Sequence, residues 1–288
     1  MRLEDERQSD NVEDRRGESG GRGFGGGGKI GIGTIVLALA AWYFGIDPRV
    51  VLEGANQVQQ QPVNNTPAAA PPAGDKQARF VSMVLADTED TWHAIFAEAG
   101  KNYSDPKLVL FSNSYPTACG MGAAAMGPFY CPGDQKVYID LAFYDELQNR
   151  FHAPGDFAQA YVIAHEVGHH VQNLLGISAK VQRARERASA AQSNALSVRL
   201  ELQADCFAGL WANHADRSRH ILEQGDVEEA LHAATAIGDD TLQKQARGYA
   251  VPESFTHGTA EQRVRWFRRG LDSGVMSNCN TFEKGNAL

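Results

Sequence analysis

From residue 76 onward, apolar side chains recur mostly at the spacing of helices, with short alternating runs between them. Ala78 to Ala99 has the pattern of a first amphipathic helix. Leu108 to Phe111 and Gln135 to Leu141 read as strands. In the second, Val137, Ile139 and Leu141 alternate with Tyr138 and Asp140, and Pro132-Gly133-Asp134 supplies a turn before it. Asp156 to Leu175 predicts a long helix, with Asp156 placed to cap it, Gln159 at the capping-box position and Gly176 as its stop. Ala179 to Ala190 and Asn194 to Ala215 predict two more. Asp226 with Glu229, and Thr259 with Gln262, mark further helix starts of the same boxed kind. The chain shows no internal repeat. The expected fold class is α+β, mainly helical, with a small sheet.

The first 75 residues follow different patterns. Residues 1–29 mix both signs of charge and end in a run of glycines, which predicts a flexible tail. Residues 30–46 carry no charge and include Ile35, Val36, Leu37, Leu39, Trp42, Tyr43 and Phe44. Seventeen such residues sit at the lower edge of what spans a bilayer, so one transmembrane helix is expected there. Arg15, Arg16, Arg22 and Lys29 precede this segment, and Arg49 follows it. That asymmetry predicts a single-pass protein with a cytoplasmic N-terminus and an exported remainder. Residues 47–75 hold a Gln-, Pro- and Ala-rich stretch, Gln57 to Asp75, that reads as a linker. Residues 76–288 are left for one compact domain.

The formal charge of the 288-residue chain is −8, which argues against a nucleic-acid partner. Four cysteines are too few for a disulfide-dense scaffold, and none has the short spacing of a cysteine zinc site. In an oxidising exterior Cys119 and Cys131 are expected to pair. Cys206 and Cys279 are left open between pairing and free thiols.

The chemistry concentrates in His165-Glu166-Val167-Gly168-His169, an H-E-x-x-H run on the long helix. Positions four apart stack on one helix face, so both imidazoles can reach one zinc ion. Glu166, beside the first ligand, can take a proton from a water in an open coordination position. A catalytic site of this type needs a third protein ligand. Glu201 is the candidate, on the next long helix. Asp205, four residues on and on the same face, can accept the free ring N–H of a ligating histidine. His170 points about 100° away around the helix. His214 and His220 lie too far along theirs, and His93, His152 and His232 have no motif around them.

HEVGHH and ELQAD, with GPFYCPGDQKVYIDL before them and SFTHGTAEQRVRWF after, resemble the bacterial neutral zinc metallopeptidases of the YpfJ type. The resemblance covers nearly the whole chain, including the opening MRLEDERQSDNVEDRRG. It implies a zincin-like fold, one zinc per chain, His165 and His169 as ligands and Glu166 as the catalytic residue. The later E-x-x-A-D run is similar to that of gluzincin peptidases, which implies Glu201 as third ligand. Gluzincins of the prenyl-protein-processing type have a similar His and Arg. By that likeness His257 or Arg263 could face the metal and stabilise an oxyanion, with Tyr249 another possible donor. In zinc peptidases of this architecture an edge strand holds the substrate backbone, and Val137, Tyr138 and Ile139 are the candidates here. Ala118 to Gly127 is Gly- and Ala-rich and lets a backbone approach closely, or is a plain loop. With that resemblance, the expectation is a zinc peptidase anchored in a bacterial inner membrane, its catalytic domain periplasmic or otherwise extracytoplasmic, acting on a protein or peptide. A zinc hydrolase of another amide and a binding protein stabilised by zinc are its rivals.

Overall fold

The computed structural model describes residues 1–3, 6–18, 69–72, 74–124 and 127–283. The expected anchor, residues 30–46, lies outside them, as does most of the linker. Among the described residues no helix is long and apolar enough to cross a membrane. Two sheets and eight α-helices are described. Strand β1 (Val12–Asp14) precedes helix α1 (Lys76–Glu98), which Asp75 caps by accepting from the backbone N–H of Gln77 and Ala78. Strands β2 (Lys107–Phe111), β3 (Ser114–Thr117), β4 (Gly120–Ala123), β5 (Phe129–Cys131) and β6 (Lys136–Asp140) follow. Then come α2 (Ala142–Asn149), α3 (Asp156–Leu174), α4 (Ile177–Arg185), α5 (Ala190–Arg219), α6 (Asp226–Ala236), α7 (Asp239–Arg247) and α8 (Ala260–Ser273).

The main sheet has the order β1-β2-β6-β5. β1, β2 and β6 are parallel, and β5 runs antiparallel along β6. β3 and β4 form a separate antiparallel ribbon. This layout corrects two expectations. The opening segment is not a free tail over its described residues. β1 pairs with β2, Leu3 and Val12 enter the core, and Arg15 is buried. Val137–Ile139, expected at a sheet edge, lie on β6 in the interior of the sheet. β2 pairs with all three on one side and β5 pairs with Val137 and Tyr138 on the other, so those two have no free edge to offer a substrate.

The helices form the larger layer. α3 packs on α5, α6 and α1, and α5 packs most extensively on α8. Phe157 of α3 stacks on Trp211 of α5 with ring centroids 5.8 Å apart. Burying a ring such as Phe157 fully stabilises the fold by ~1.5–3 kcal/mol. Two close approaches set the positions that matter for the site. Gly168 lets α3 lie against α5, where a Cβ would sit 3.1 Å from the Ala204 carbonyl oxygen. Gly209 and Gly270 meet where α5 crosses α8, and a side chain on either would overlap the facing backbone.

Candidate metal centre

The two histidines of the H-E-x-x-H run stack on one face of α3, with ring centroids 4.9 Å apart. The Gly168 contact brings Glu201 of α5 opposite them. Glu201 Oε2 lies 3.2 Å from His165 Nε2 and 3.5 Å from His169 Nε2. One donor atom from each of the three residues fits within 4.8 Å of the other two. The far nitrogen of each ring is held elsewhere. His165 Nδ1 is 2.8 Å from Asp205 Oδ1, and His169 Nδ1 is 2.9 Å from Gln172 Oε1. A ring that donates from Nδ1 presents a lone pair at Nε2, so both acceptor sides converge on the Glu201 carboxylate. Two imidazoles and one carboxylate, turned inward with their outer atoms fixed, could hold a metal ion and match the donor types of an open three-ligand zinc site.

The electrostatics favour a cation at that point. Burial opposes charging His165, but Asp205 and Glu201 outweigh it and raise its pKa to about 10. Burial likewise opposes ionising Glu201, yet the facing imidazoles hold its carboxyl well below the ordinary range. Asp205 is fully buried, and Arg263 and His165 keep it ionised against its desolvation. The groups around the cluster thus select for positive charge there. Glu166 is nearly buried on the same helix, adjoining the first ligand.

Arg263 occupies a different place from the one its likeness implied. Its guanidinium grips Asp205 with Nε–Oδ2 and Nη2–Oδ1 both at 2.9 Å, and it is 2 % exposed. The Gly209–Gly270 crossing puts it there. Its donors are engaged behind the histidine, so it is not an oxyanion donor. It positions Asp205, which positions His165. Tyr161, which the sequence reading missed, completes this layer. Its hydroxyl donates to Asp205 Oδ1 at 2.5 Å and accepts from Arg263 Nη2 at 3.2 Å. Its signal was available: it sits one helical turn before His165, on the same face.

His257 lies in the loop before α8, close enough for its charge to lower the pKa of Glu201. Asp239, also missed, holds that loop. Its Oδ2 accepts from the backbone N–H of Thr256, His257 and Gly258 at 2.7, 2.6 and 3.0 Å. Its Oδ1 lies 3.2 Å from His257 Nδ1, which leaves Nε2 as the free end of the ring. Tyr249 is 60 % exposed and lies against Arg247. His170 is buried away from the cluster, between Tyr130 Oη at 3.0 Å and the Ser104 carbonyl at 2.7 Å. Cys119 is bonded to Cys131, and Cys206 to Cys279.

A family model described as "Putative neutral zinc metallopeptidase" matches residues 1–282, and the chain belongs to that family. It is 52% identical over 290 residues to the uncharacterized protein YpfJ of Escherichia coli, covering 99% of both chains. It is 38% identical over 259 residues to the uncharacterized protein Mb2605 of Mycobacterium bovis, covering 84% of this chain and 85% of that one. The uncharacterized protein Rv2575 of Mycobacterium tuberculosis matches to the same extent. No solved structure matches the chain.

Proposed function

We propose that the chain is a zinc-dependent peptidase with its reaction centre at His165, His169 and Glu201. The observation that supports this reading best is the convergence of two Nε2 atoms and a carboxylate on one point, with Glu166 next to His165 along the helix. A structural zinc site is closed by four protein ligands and has no use for a neighbouring base. Zinc held by the three residues supplies Lewis-acid polarisation and makes a water acidic near neutral pH. Glu166 accepts the proton from the attacking water and passes it to the leaving amine. Asp205, braced by Arg263 and Tyr161, keeps His165 in the tautomer that presents Nε2. His257, steadied by Asp239 and near enough for its charge to act on Glu201, would donate to the charge that develops on the peptide oxygen.

The test is Glu166→Gln in the full chain. Zinc content is expected to stay at about one per chain, the value for a single site. Hydrolysis of an unstructured protein substrate is expected to fall by at least ~10²-fold. Equal hydrolysis by both proteins would overturn the mechanism. A zinc-loaded wild type that cleaves no peptide bond would overturn the peptidase reading.

A further inference from the structure

The opening residues are built into the domain at several independent points. The β1–β2 pairing is parallel over Val12 to Asp14, and Arg15 N–H donates to the Leu110 carbonyl at 2.8 Å beyond it. Glu89 of α1 is 2 % exposed, and its carboxylate is satisfied from the opening segment. Ser9 Oγ lies at 2.5 Å, Asn11 Nδ2 at 2.8 Å and Arg7 Nη2 at 2.8 Å. Glu13 binds Lys136 Nζ of β6 at 2.9 Å, and Arg16 binds Asp75, the cap of α1, at 2.6 Å. Without these residues a buried carboxylate would lose its donors and β2 would present a bare apolar edge.

We propose that residues 6–18 are a structural part of the catalytic domain, in one compartment with His165, His169 and Glu201, so that the described residues on both sides of the apolar stretch, Glu18 and Ala69, lie on that side. The orientation expected from basic residues is the opposite. A single crossing by that stretch would leave β1 on one side of the membrane and β2 on the other. Two of the basic residues behind that expectation are also committed within the fold. Arg15 pairs with Glu18 at 2.7 Å, and Arg16 pairs with Asp14 and Asp75 at 2.6 Å each.

The test uses the full-length chain in intact spheroplasts. Gly17 and Lys101 are both exposed, one on each side of the apolar stretch. Gly17→Cys and Lys101→Cys are treated separately with a membrane-impermeant maleimide, and labelling above the wild-type background is read on a gel. A permeant maleimide serves as the control. Both cysteines labelled, or neither, is the expected result. Labelling of one alone overturns the proposal, and this readout does not depend on β1 being docked. Docking is read from Asn11→Cys/Lys107→Cys, whose parent side chains meet at 2.6 Å. A short permeant bismaleimide is added to cells, and the chain is then cut at a protease site inserted between Gln57 and Thr66. The fragments are expected to stay joined. Fragments that separate as fully as in the single-cysteine controls would overturn the docking.

Discussion

Helix α3 contributes to two clusters of candidate ligands, and the contrast between them shows what defines a site. At its N-terminal end Asp156, Asp226 and Glu229 bring donor atoms within 4.8 Å, as His165, His169 and Glu201 do near its middle. The first cluster is all carboxylate and already compensated. The Met1 amino group lies 2.8 Å from Asp156 and 3.4 Å from Asp226, and Glu229 accepts from Phe157 N–H at 3.1 Å. The second mixes imidazole and carboxylate, has its outer atoms fixed by Asp205 and Gln172, and turns its remaining lone pairs inward. Proximity is common to both. Donor capacity that the fold leaves uncommitted belongs to the second.

The largest effect that would break this contrast is in metal content. His165→Ala or His169→Ala is expected to take zinc from about one per chain to near zero, while Asp226→Asn leaves it unchanged. Elemental analysis showing loss of zinc in all three would erase the distinction. Next is stability. Arg263→Met leaves Asp205 buried without its cation, a loss of ~3–5 kcal/mol in denaturant unfolding. Asp156→Asn, at a carboxylate 46% exposed, is expected to cost no more than ~1 kcal/mol. Equal losses would mean that the two clusters are supported alike.

Asp205→Asn sharpens the comparison by separating orientation from ligation. It is expected to lower zinc affinity ~10–100-fold, measured by chelator competition, without abolishing binding. The smallest effect is at Asp239. Its pKa is lowered, against burial, by His257 and the loop N–H groups, so its contribution holds above its ordinary 3.8 and fades as pH falls through the lower value. That of His257 is raised, against burial, by Glu201 and Asp239, so its contribution is complete below 6.5 and fades as pH rises through the raised value. Asp239→Asn should therefore cost most between about pH 4 and 6.5, on the order of 1 kcal/mol. A Tm difference that is flat across pH would remove the charge pair.

The histidine pair of the site was legible because one helix carries both residues. The spacing of His165 and His169 needs only the period of α3. Thr259 and Gln262 form the capping box that their spacing implies, through a purely local exchange of hydrogen bonds. The equivalent reading at Asp226 fails. Gly225 takes the N-cap position at φ 102°, and Glu229 reaches across to Phe157 of α3 instead. β1 was hidden because Val-Glu-Asp has no apolar alternation. Its charges are answered by Lys136 and Arg16, neighbours that only the folded sheet supplies. Arg263 was misread for a similar reason. Six residues separate it from His257 in sequence, but the α5–α8 crossing decides which carboxylate it meets.

The Cys206–Cys279 bond bears on how the centre survives a cut in the chain. The bond joins the residue after Asp205 to a position beyond α8, across a sequence separation of 73. Within that interval Lys244, Gln245, Ala246, Gly248 and Tyr249 are exposed. A cut there splits the chain without freeing either piece. The fragment carrying Arg263 stays tethered one residue from the carboxylate it grips. Loss of the centre then takes two chemical events, a cut and a reduction, rather than one.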